Sequence, residues 1–424
     1  MILTRKIQLY PIGDKEEVRR VYKYLSDGIF NQNKAMNQYI SALYMSTVQE
    51  ASKEDKQELN RLYTRISTSK KGSAYDKDIE FAKGLPIGAI GQKVKQDFQK
   101  SIKDGLLYGK VSLPTYRKDN PLLIHVDYIR LRNTNPHQDS GIYHNYSNYQ
   151  EFLDNLYSKD LEILIKFAND ITFKMILGQP HKSATLREEI KQIFEENYKV
   201  CGSSIQIDGT KIILNLSMDV PKKEVELDEN TVVGVDLGIA IPAVCGLNNN
   251  EYIKQSIGSK EDFLRIRTQL QSERKRIQSN LKLSKGGHGR KKKLKHLDNL
   301  SDRERNFVKT YNHYVSKQVV DFALKNKAKY INVEDLSGFD SSQFILRNWS
   351  YYELQQFITY KASKYGIEVK KINPYHTSQI CSCCGHWEEG QRDSQSHFKC
   401  KSCGYETNAD FNASRNIAKS IDFR

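Results

Sequence analysis

Apolar and polar residues alternate through "ILTRKIQLYP" at the start of the chain, which predicts a strand, and the period then changes. From Glu16 to Met45 the apolar positions Val18, Val21, Leu25, Ile29, Met36, Ile40 and Leu43 recur at helical spacing, and Ile90, Val94, Phe98 and Ile102 repeat it. The segment from about Asp14 to Tyr108 is therefore expected to be a helical insertion. Strand-like patterns resume at "KVSLPTY", continue through "EILIKFA" and "ITFKMIL", and end in "SSIQIDGTKIILNLSM". In that last piece Asp208-Gly209 joins two alternating runs, and a tight hairpin needs positive φ at its centre, so a hairpin is predicted there. Residues 1–225 read as a β module split by a helical one, with the turn-rich "PKKEVELDEN" as the boundary.

Beyond Thr231 strands alternate with long helices, the pattern of an α/β domain. "TVVGVD", "AIPAVCGL", "EYIKQSI" and "KYINVE" read as strands. Phe263, Ile266, Leu270, Ile277 and Leu281 mark one helix, and Phe307, Tyr311, Tyr314, Val315 and Phe322 another. A flexible basic link, "SKGGHGRKKK", is expected between them.

Charge narrows the partners. The 424 residues carry 66 Lys and Arg against 51 Asp and Glu, a formal +15. A surplus of that size favours a polyanion, through counterion release at phosphates or attraction to anionic lipid. No run of ~18 apolar residues could cross a membrane, and the N-terminus lacks the apolar core of a signal peptide. A soluble, cytoplasmic nucleic-acid-binding protein is the expectation. Lys260 to Lys309 holds sixteen basic and six acidic residues, and its "GRKKKLK" run is a candidate phosphate contact. Some of the 25 tyrosines, such as Tyr116 in "YRK", could stack on bases, although most are expected to be ordinary core or surface residues. His288 and His313 receive no role.

The candidate chemistry starts with three acids. Asp236 ends "TVVGVD", Glu334 ends "YINVE", and Asp410 opens the helix of "NADFNASRN". In one α/β sheet they could meet at a common edge, where like charges are unstable unless cations neutralise them. Hard oxygen ligands suit Mg²⁺, and two such ions activate a water and stabilise the leaving oxygen in phosphodiester hydrolysis. Each acid taken alone could equally be an unpartnered strand end or helix start. Glu334 and Asp335 point to opposite faces of their strand, and periodicity does not choose between them. Actin-like ATPases and sugar kinases begin with a similar strand and acid, but there small hydroxylic residues follow. Here Ile239-Ala240-Ile241-Pro242 follow instead.

Five of the seven cysteines crowd into one segment, which suggests metal ligation in a reducing compartment. Cys381-x-x-Cys384-Gly and Cys400-x-x-Cys403-Gly are two knuckles, and four thiolates at this spacing favour one structural, tetrahedral Zn²⁺. The glycine after Cys384, matched after Cys403, argues against Cys383 as a ligand.

"GVDLGIA", "INVEDLSG", "RNWSYYELQQFITYKASKYGIEVKKINPYHTSQICSCCG" and "FKCKSCGYETNADFNASRNIA" resemble the RuvC-like nuclease and zinc-ribbon half of miniature type V CRISPR effectors and of the transposon-encoded RNA-guided nucleases related to them. Length and the Gly-Gly-His-Gly link are most similar to the type V-F group. The first half matches mainly through "VSLPTYRKD". The resemblance implies an RNase H-like (RuvC) nuclease domain with an inserted zinc ribbon, and an N-terminal oligonucleotide-binding-like β-barrel module split by helices. It divides the chain into a wedge-like β module (1–14 and 109–225) for guide RNA and flanking motif, and a helical recognition insertion (15–108). A nuclease domain (226–375 and 405–424) and a ribbon for target nucleic acid (376–404) follow. It assigns two Mg²⁺ ions to Asp236, Glu334 and Asp410, chooses Glu334 over Asp335, and sets Arg392 near the scissile phosphate. Guide RNA, target DNA and a homodimer on one guide RNA are the implied partners. A transposon-encoded nuclease, a catalytically idle RNA-guided binder and an RNA-independent resolvase or transposase are the alternatives.

Overall fold

The computed structural model describes residues 1–48, 84–125, 128–131, 140–167, 171–238, 241–283, 288–335, 351–392, 394 and 396–421. They form two compact units, Met1–Pro221 and Lys222–Arg424. Part of the expected helical insertion (49–83), the first residues of the "SKGGHGRKKK" link (284–287) and the stretch after "INVED" (336–350) lie outside the described residues. Among the described residues no helix is long and apolar enough to cross a membrane.

The first unit is a large antiparallel sheet with helices against it. In chain order it runs β1 (Ile2–Pro11), α1 (Lys15–Val48), α2 (Ile87–Lys103), β2 (Leu122–Leu123), β3 (Gly141–His144) and α3 (Tyr149–Asn155). β4 (Ile163–Lys166), β5 (Thr172–Ile176), α4 (Pro180–Phe194), β6 (Lys199–Val200), β7 (Ser204–Asp208) and β8 (Lys211–Asp219) follow. The strand order is β2-β7-β8-β1-β5-β4-β3, with β6 beside β8. Alternation in β1 sends Ile7 and Leu9 into a core with Phe173, Met175, Leu214 and Leu216. The predicted hairpin is present one residue further along: Asp208 pairs with Lys211, and Gly209-Thr210 is the loop. Gly209, at φ +61°, supplies the positive dihedral at the first loop position.

α1 serves two cores. Its Val21, Leu25 and Ile29 pack on the sheet, while Met36, Tyr39 and Ile40 pack against Ile90, Val94 and Phe98 of α2. "KVSLPTY" is not a strand. The chain after it runs along α1, whose side-chain amides take the place of a neighbouring strand. Asn37 exchanges two 2.9 Å hydrogen bonds with the backbone of Tyr116, and Gln32 bonds Pro121 O at 2.8 Å and Leu123 N at 2.7 Å. Each such bond contributes about 1 kcal/mol net, but far more is lost if the buried backbone group is left unpaired.

The second unit is an α/β layer. Its sheet has the order β11-β10-β9-β12-β13, from β9 (Asp228–Asp236), β10 (Ala243–Leu247), β11 (Lys254–Ile257), β12 (Ala328–Glu334) and β13 (Glu368–Ile372). β9, β12 and β13 are parallel, and β10 and β11 extend them antiparallel. Helices α5 (Lys260–Lys282) and α6 (His288–Lys325) lie between β11 and β12, and α7 (Tyr351–Ser363) precedes β13. A ribbon hairpin, β14 (His397–Lys399) with β15 (Glu406–Asn408), leads directly into α8 (Ala409–Lys419). α6 begins at His288, so most of the "GRKKK" run is the first turns of a helix rather than a flexible link.

Pleating sorts the central strands into two faces. Val233, Val235, Ile331 and Val333 face Val315, Val319, Leu354 and Ile358 of α6 and α7. Gly234 and Gly246 face α8, and there is no room for a side chain at either. A Cβ on Gly234 would lie 1.9 Å from Ser414 O and 2.3 Å from Ala418 N. α8 thus rests on the strand at backbone contact, and Gly234→Ala would push the helix off the sheet.

Candidate active site and metal centre

The same parity builds the acid site. Asp236 lies two residues beyond Gly234 on β9, and Glu334 two beyond Asn332 on β12, so both share the face that α8 covers. Asn332 confirms the face, because its Nδ2 donates to Ile417 O of α8 at 3.0 Å. β9 and β12 are parallel neighbours in register at Val235 and Val333, so the two acids end adjacent strands. The third comes from α8. Asn408 caps that helix, accepting from Phe411 N at 3.0 Å, and Asp410 falls in its first turn. Close packing over Gly234 brings that turn to the two strand ends.

Charge is poorly balanced among these acids. Burial, then the carboxylates of Glu334 and Asp410, holds Asp236 well above the ordinary carboxylate range, and Arg392 opposes this. Glu334 is raised by burial against a hydrogen bond from Thr377, and Asp410 by burial against Arg392. Arg392 Nη2 stands 3.5 Å from Asp410 Oδ1. Burial and the Asp236 charge push the nearby Tyr351 phenol up to about 12. Three half-buried or buried carboxylates, two of them opposed by the Arg392 guanidinium, are hard oxygen donors, the chemical type that suits Mg²⁺, Mn²⁺ or Ca²⁺.

Asp335 is on the other face of β12 and turns to Lys371, 3.9 Å away. Glu334 is fixed from two sides: its backbone carbonyl accepts from Gln355 Nε2 at 2.7 Å, and Thr377 Oγ1 donates to Oε1. Thr377 lies on the loop between β13 and the ribbon, and α8 holds that loop. Asn416 Nδ2 donates to Thr377 O and Ile380 O, and Asn412 bonds both Ile380 O and Ser382 N. Neither Thr377 nor this amide ladder was evident in the sequence. "NADFNASRN" does place Asn412 and Asn416 one helical turn apart, which was the available signal.

Among the described residues, Cys381, Cys384, Cys400 and Cys403 form a group whose sulfurs all lie within 4.8 Å of one another. The Cys381–Cys403 and Cys384–Cys400 separations are 3.8 and 3.6 Å. A tetrahedral ion with ~2.3 Å bonds to sulfur requires about 3.8 Å between sulfurs. The knuckles are alike: Gly385 N donates to Cys381 O and Gly404 N to Cys400 O, and both glycines have left-handed φ, +75° and +73°. The four thiols fit a zinc ion. Cys383 is exposed and lies outside the group.

Other candidates resolve as packing. Tyr116 is buried, its hydroxyl donating to Asp97 at 2.9 Å, and it cannot stack on a base. His313 stacks on Phe357 at 4.0 Å.

A family model described as Cas12f1-like, TNB domain, matches residues 351–417. The chain is 35% identical over 360 residues to the CRISPR-associated endodeoxyribonuclease Cas12f1 of Sulfoacidibacillus thermotolerans, covering 83% of this chain and 81% of that protein. It is 33% identical over 249 residues to a protein of the same name from an uncultured archaeon, covering 54% and 46%. A cryo-EM structure of a Cas12f1–sgRNA–target DNA complex shares the fold, with a TM-score of 0.67 over 100% of this chain and 99% of that chain at 20% identity. With such identity across four-fifths of a relative, the chain belongs to the Cas12f1 family.

Proposed function

We propose that the protein is an RNA-guided DNA endonuclease that hydrolyses target DNA at the acid site of its second unit. The observation that carries this reading is that Asp236 and Glu334 end adjacent strands on the sheet face covered by α8, and that Asp410 stands in the first turn of that helix, which is packed at backbone contact. Relatives over most of the chain are named endodeoxyribonucleases, which supports the same chemistry. In this reading the second unit is an RNase H-like (RuvC) domain, and the three acids hold two Mg²⁺ ions. Bound Mg²⁺ there supplies an activated water and charge stabilisation at the leaving oxygen, giving 5′-phosphate and 3′-hydroxyl ends. Glu334, fixed by Thr377 and Gln355, needs little reorganisation to act as a ligand. Arg392, 3.5 Å from Asp410, would meet a phosphate and offset its charge.

Guide pairing supplies sequence choice, and the protein reads a short flanking motif. The wedge-like module (1–14 and 109–225) and helical insertion (15–108) grip guide RNA, and two copies share one guide. The ribbon at 376–404, held by zinc, contacts target DNA. The protein works in the cytoplasm.

The test is Asp236→Ala in the complex assembled with guide RNA. Target cleavage should fall by at least about 10³-fold, equivalent to ~4 kcal/mol of transition-state stabilisation, while guide and target binding persist. Undiminished cutting would reject the assignment.

A further inference from the structure

The loop that carries Thr377 to Glu334 presents two aromatic rings, Tyr375 and His376, and the ribbon brings Trp387 beside them; none belongs to a core. Tyr375 is 75% exposed and Trp387 51% exposed, while His376 lies between them. Ring centroids are 3.8 Å apart for Tyr375 and His376 and 5.1 Å apart for His376 and Trp387. The arrangement is held in place. Gln379 Oε1 accepts from Trp387 Nε1 at 3.0 Å and lies 2.8 Å from His376 Nδ1. His376 adopts φ +58°, a left-handed conformation that is costly for a residue with a side chain. A backbone strained to hold large apolar rings in water points to a ligand for those rings. Beside them is a cavity of about 400 Å³ lined by Tyr375, Asn373, Asn416 and Lys419, whose ammonium also donates to Ser382 O at 2.6 Å. An aromatic wall, amides and one ammonium suit a nucleotide: a base to stack on and a phosphate to pair.

We propose that Tyr375, His376 and Trp387 form a stacking ledge for unpaired bases of the DNA strand entering the acid site. The proposal rests on the nuclease reading and names how that site takes hold of its substrate. Thr377 follows His376 directly and bonds Glu334, so the Tyr375-His376 part of the ledge and a catalytic carboxylate are tied to one loop, with Trp387 bonded to it through Gln379. Every base offers a π face, so the grip is indifferent to sequence, as a guide-directed nuclease requires.

Trp349→Phe leaves Trp387 as the sole tryptophan, since the chain has two. In the guide-loaded complex carrying this change and Asp236→Ala, single-stranded oligothymidine DNA should quench Trp387 fluorescence. Tyr375→Ala should weaken the DNA affinity read this way about tenfold, with little change in salt dependence, and Tyr375→Phe should restore it. No quenching, or an unchanged affinity for Tyr375→Ala, would overturn the proposal. Quenching complete on adding guide RNA alone would assign the ledge to the guide and overturn it as well. The signal is independent of cleavage, so undiminished cutting by Asp236→Ala would remove the nuclease assignment without touching this measurement.

Discussion

The second unit contains two clusters of like-charged ligands, built by opposite strategies. The four thiols of the ribbon sit on two short knuckles, with a satellite core of Phe398, Ala409 and two of the cysteines, Cys381 and Cys400. The three carboxylates sit at the ends of β9 and β12 and the start of α8, on a scaffold with a large core. A ribbon this small has too little apolar surface to fold alone, so a metal there contributes to folding directly. The acid site is held in shape by its sheet and helix whether or not a cation is bound. A cation bound there would relieve repulsion rather than create structure.

The largest effect should therefore come from the ribbon. Purified protein is expected to hold about one tightly bound zinc per chain, measurable by metal analysis. Structural zinc sites of this type are worth on the order of 10 kcal/mol in isolated peptides. Stripping zinc, or Cys400→Ser, should unfold residues near the knuckles, seen as lost hydrogen-exchange protection from about Ile380 to Asn408. Protection in β1 and β8 of the first unit should remain. Protein purified without chelator and found free of zinc would break the comparison.

How far each cluster could be read from sequence follows from the same contrast. The thiol site is local: two Cys-x-x-Cys-Gly turns contain their own geometry, down to the left-handed glycines. The acid site is not. Strand parity explains why Glu334 faces Asp236 and Asp335 does not, but parity can be applied only once the β9–β12 register and the covering helix are known. Gly234 reads as an ordinary strand glycine until α8 is found resting on it. "KVSLPTY" failed as a strand for a related reason: its strand-like alternation was real, but its last residue, Tyr116, pairs with Asn37 of α1, and the residues after it with Asn33 and Gln32, rather than with another strand. The Asp208-Gly209 hairpin, a local signal, was misplaced by only one residue.

A smaller effect should appear at the acids in protein freed of divalent cations. Asp236, Glu334 and Asp410 are all raised by burial, and Asp236 further by its neighbours. The folded state then keeps protons that the unfolded chain has released above the ordinary carboxylate range. Stability falls as pH rises through that window, because the folded state binds more protons than the unfolded one. Asp236→Asn removes the worst of the repulsion and should stabilise cation-free protein at neutral pH by about 1–2 kcal/mol, or ~2–8 °C in Tm. The gain should shrink toward acid pH, where the wild-type carboxylates are protonated as well. Added Mg²⁺ should raise the melting temperature of the wild type and not of the variant. Equal stability of the two proteins at neutral pH without Mg²⁺ would show that the acids do not repel.

The smallest effect on stability concerns a direct tie between the clusters. Thr377 donates to Glu334, its carbonyl accepts from Asn416 of α8, and four residues further on Cys381 begins the first knuckle. The hydrogen bond favours the ionised form of Glu334, the form a cation would need, against its burial. Thr377→Val keeps the volume and removes the donor, so the fold should lose only about 1 kcal/mol. Glu334 would then hold its proton more tightly, and a proton must leave before a cation can bind. Half-saturating Mg²⁺ for thermal stabilisation and for cutting should therefore rise several-fold together, most at the acid end of the pH profile, while guide RNA affinity is unchanged. Thr377→Ser restores the donor and should restore the Mg²⁺ response. If Thr377→Val lowers stability without moving the Mg²⁺ dependence, the loop is merely packing, and the ribbon and the acids are independent sites that share a helix.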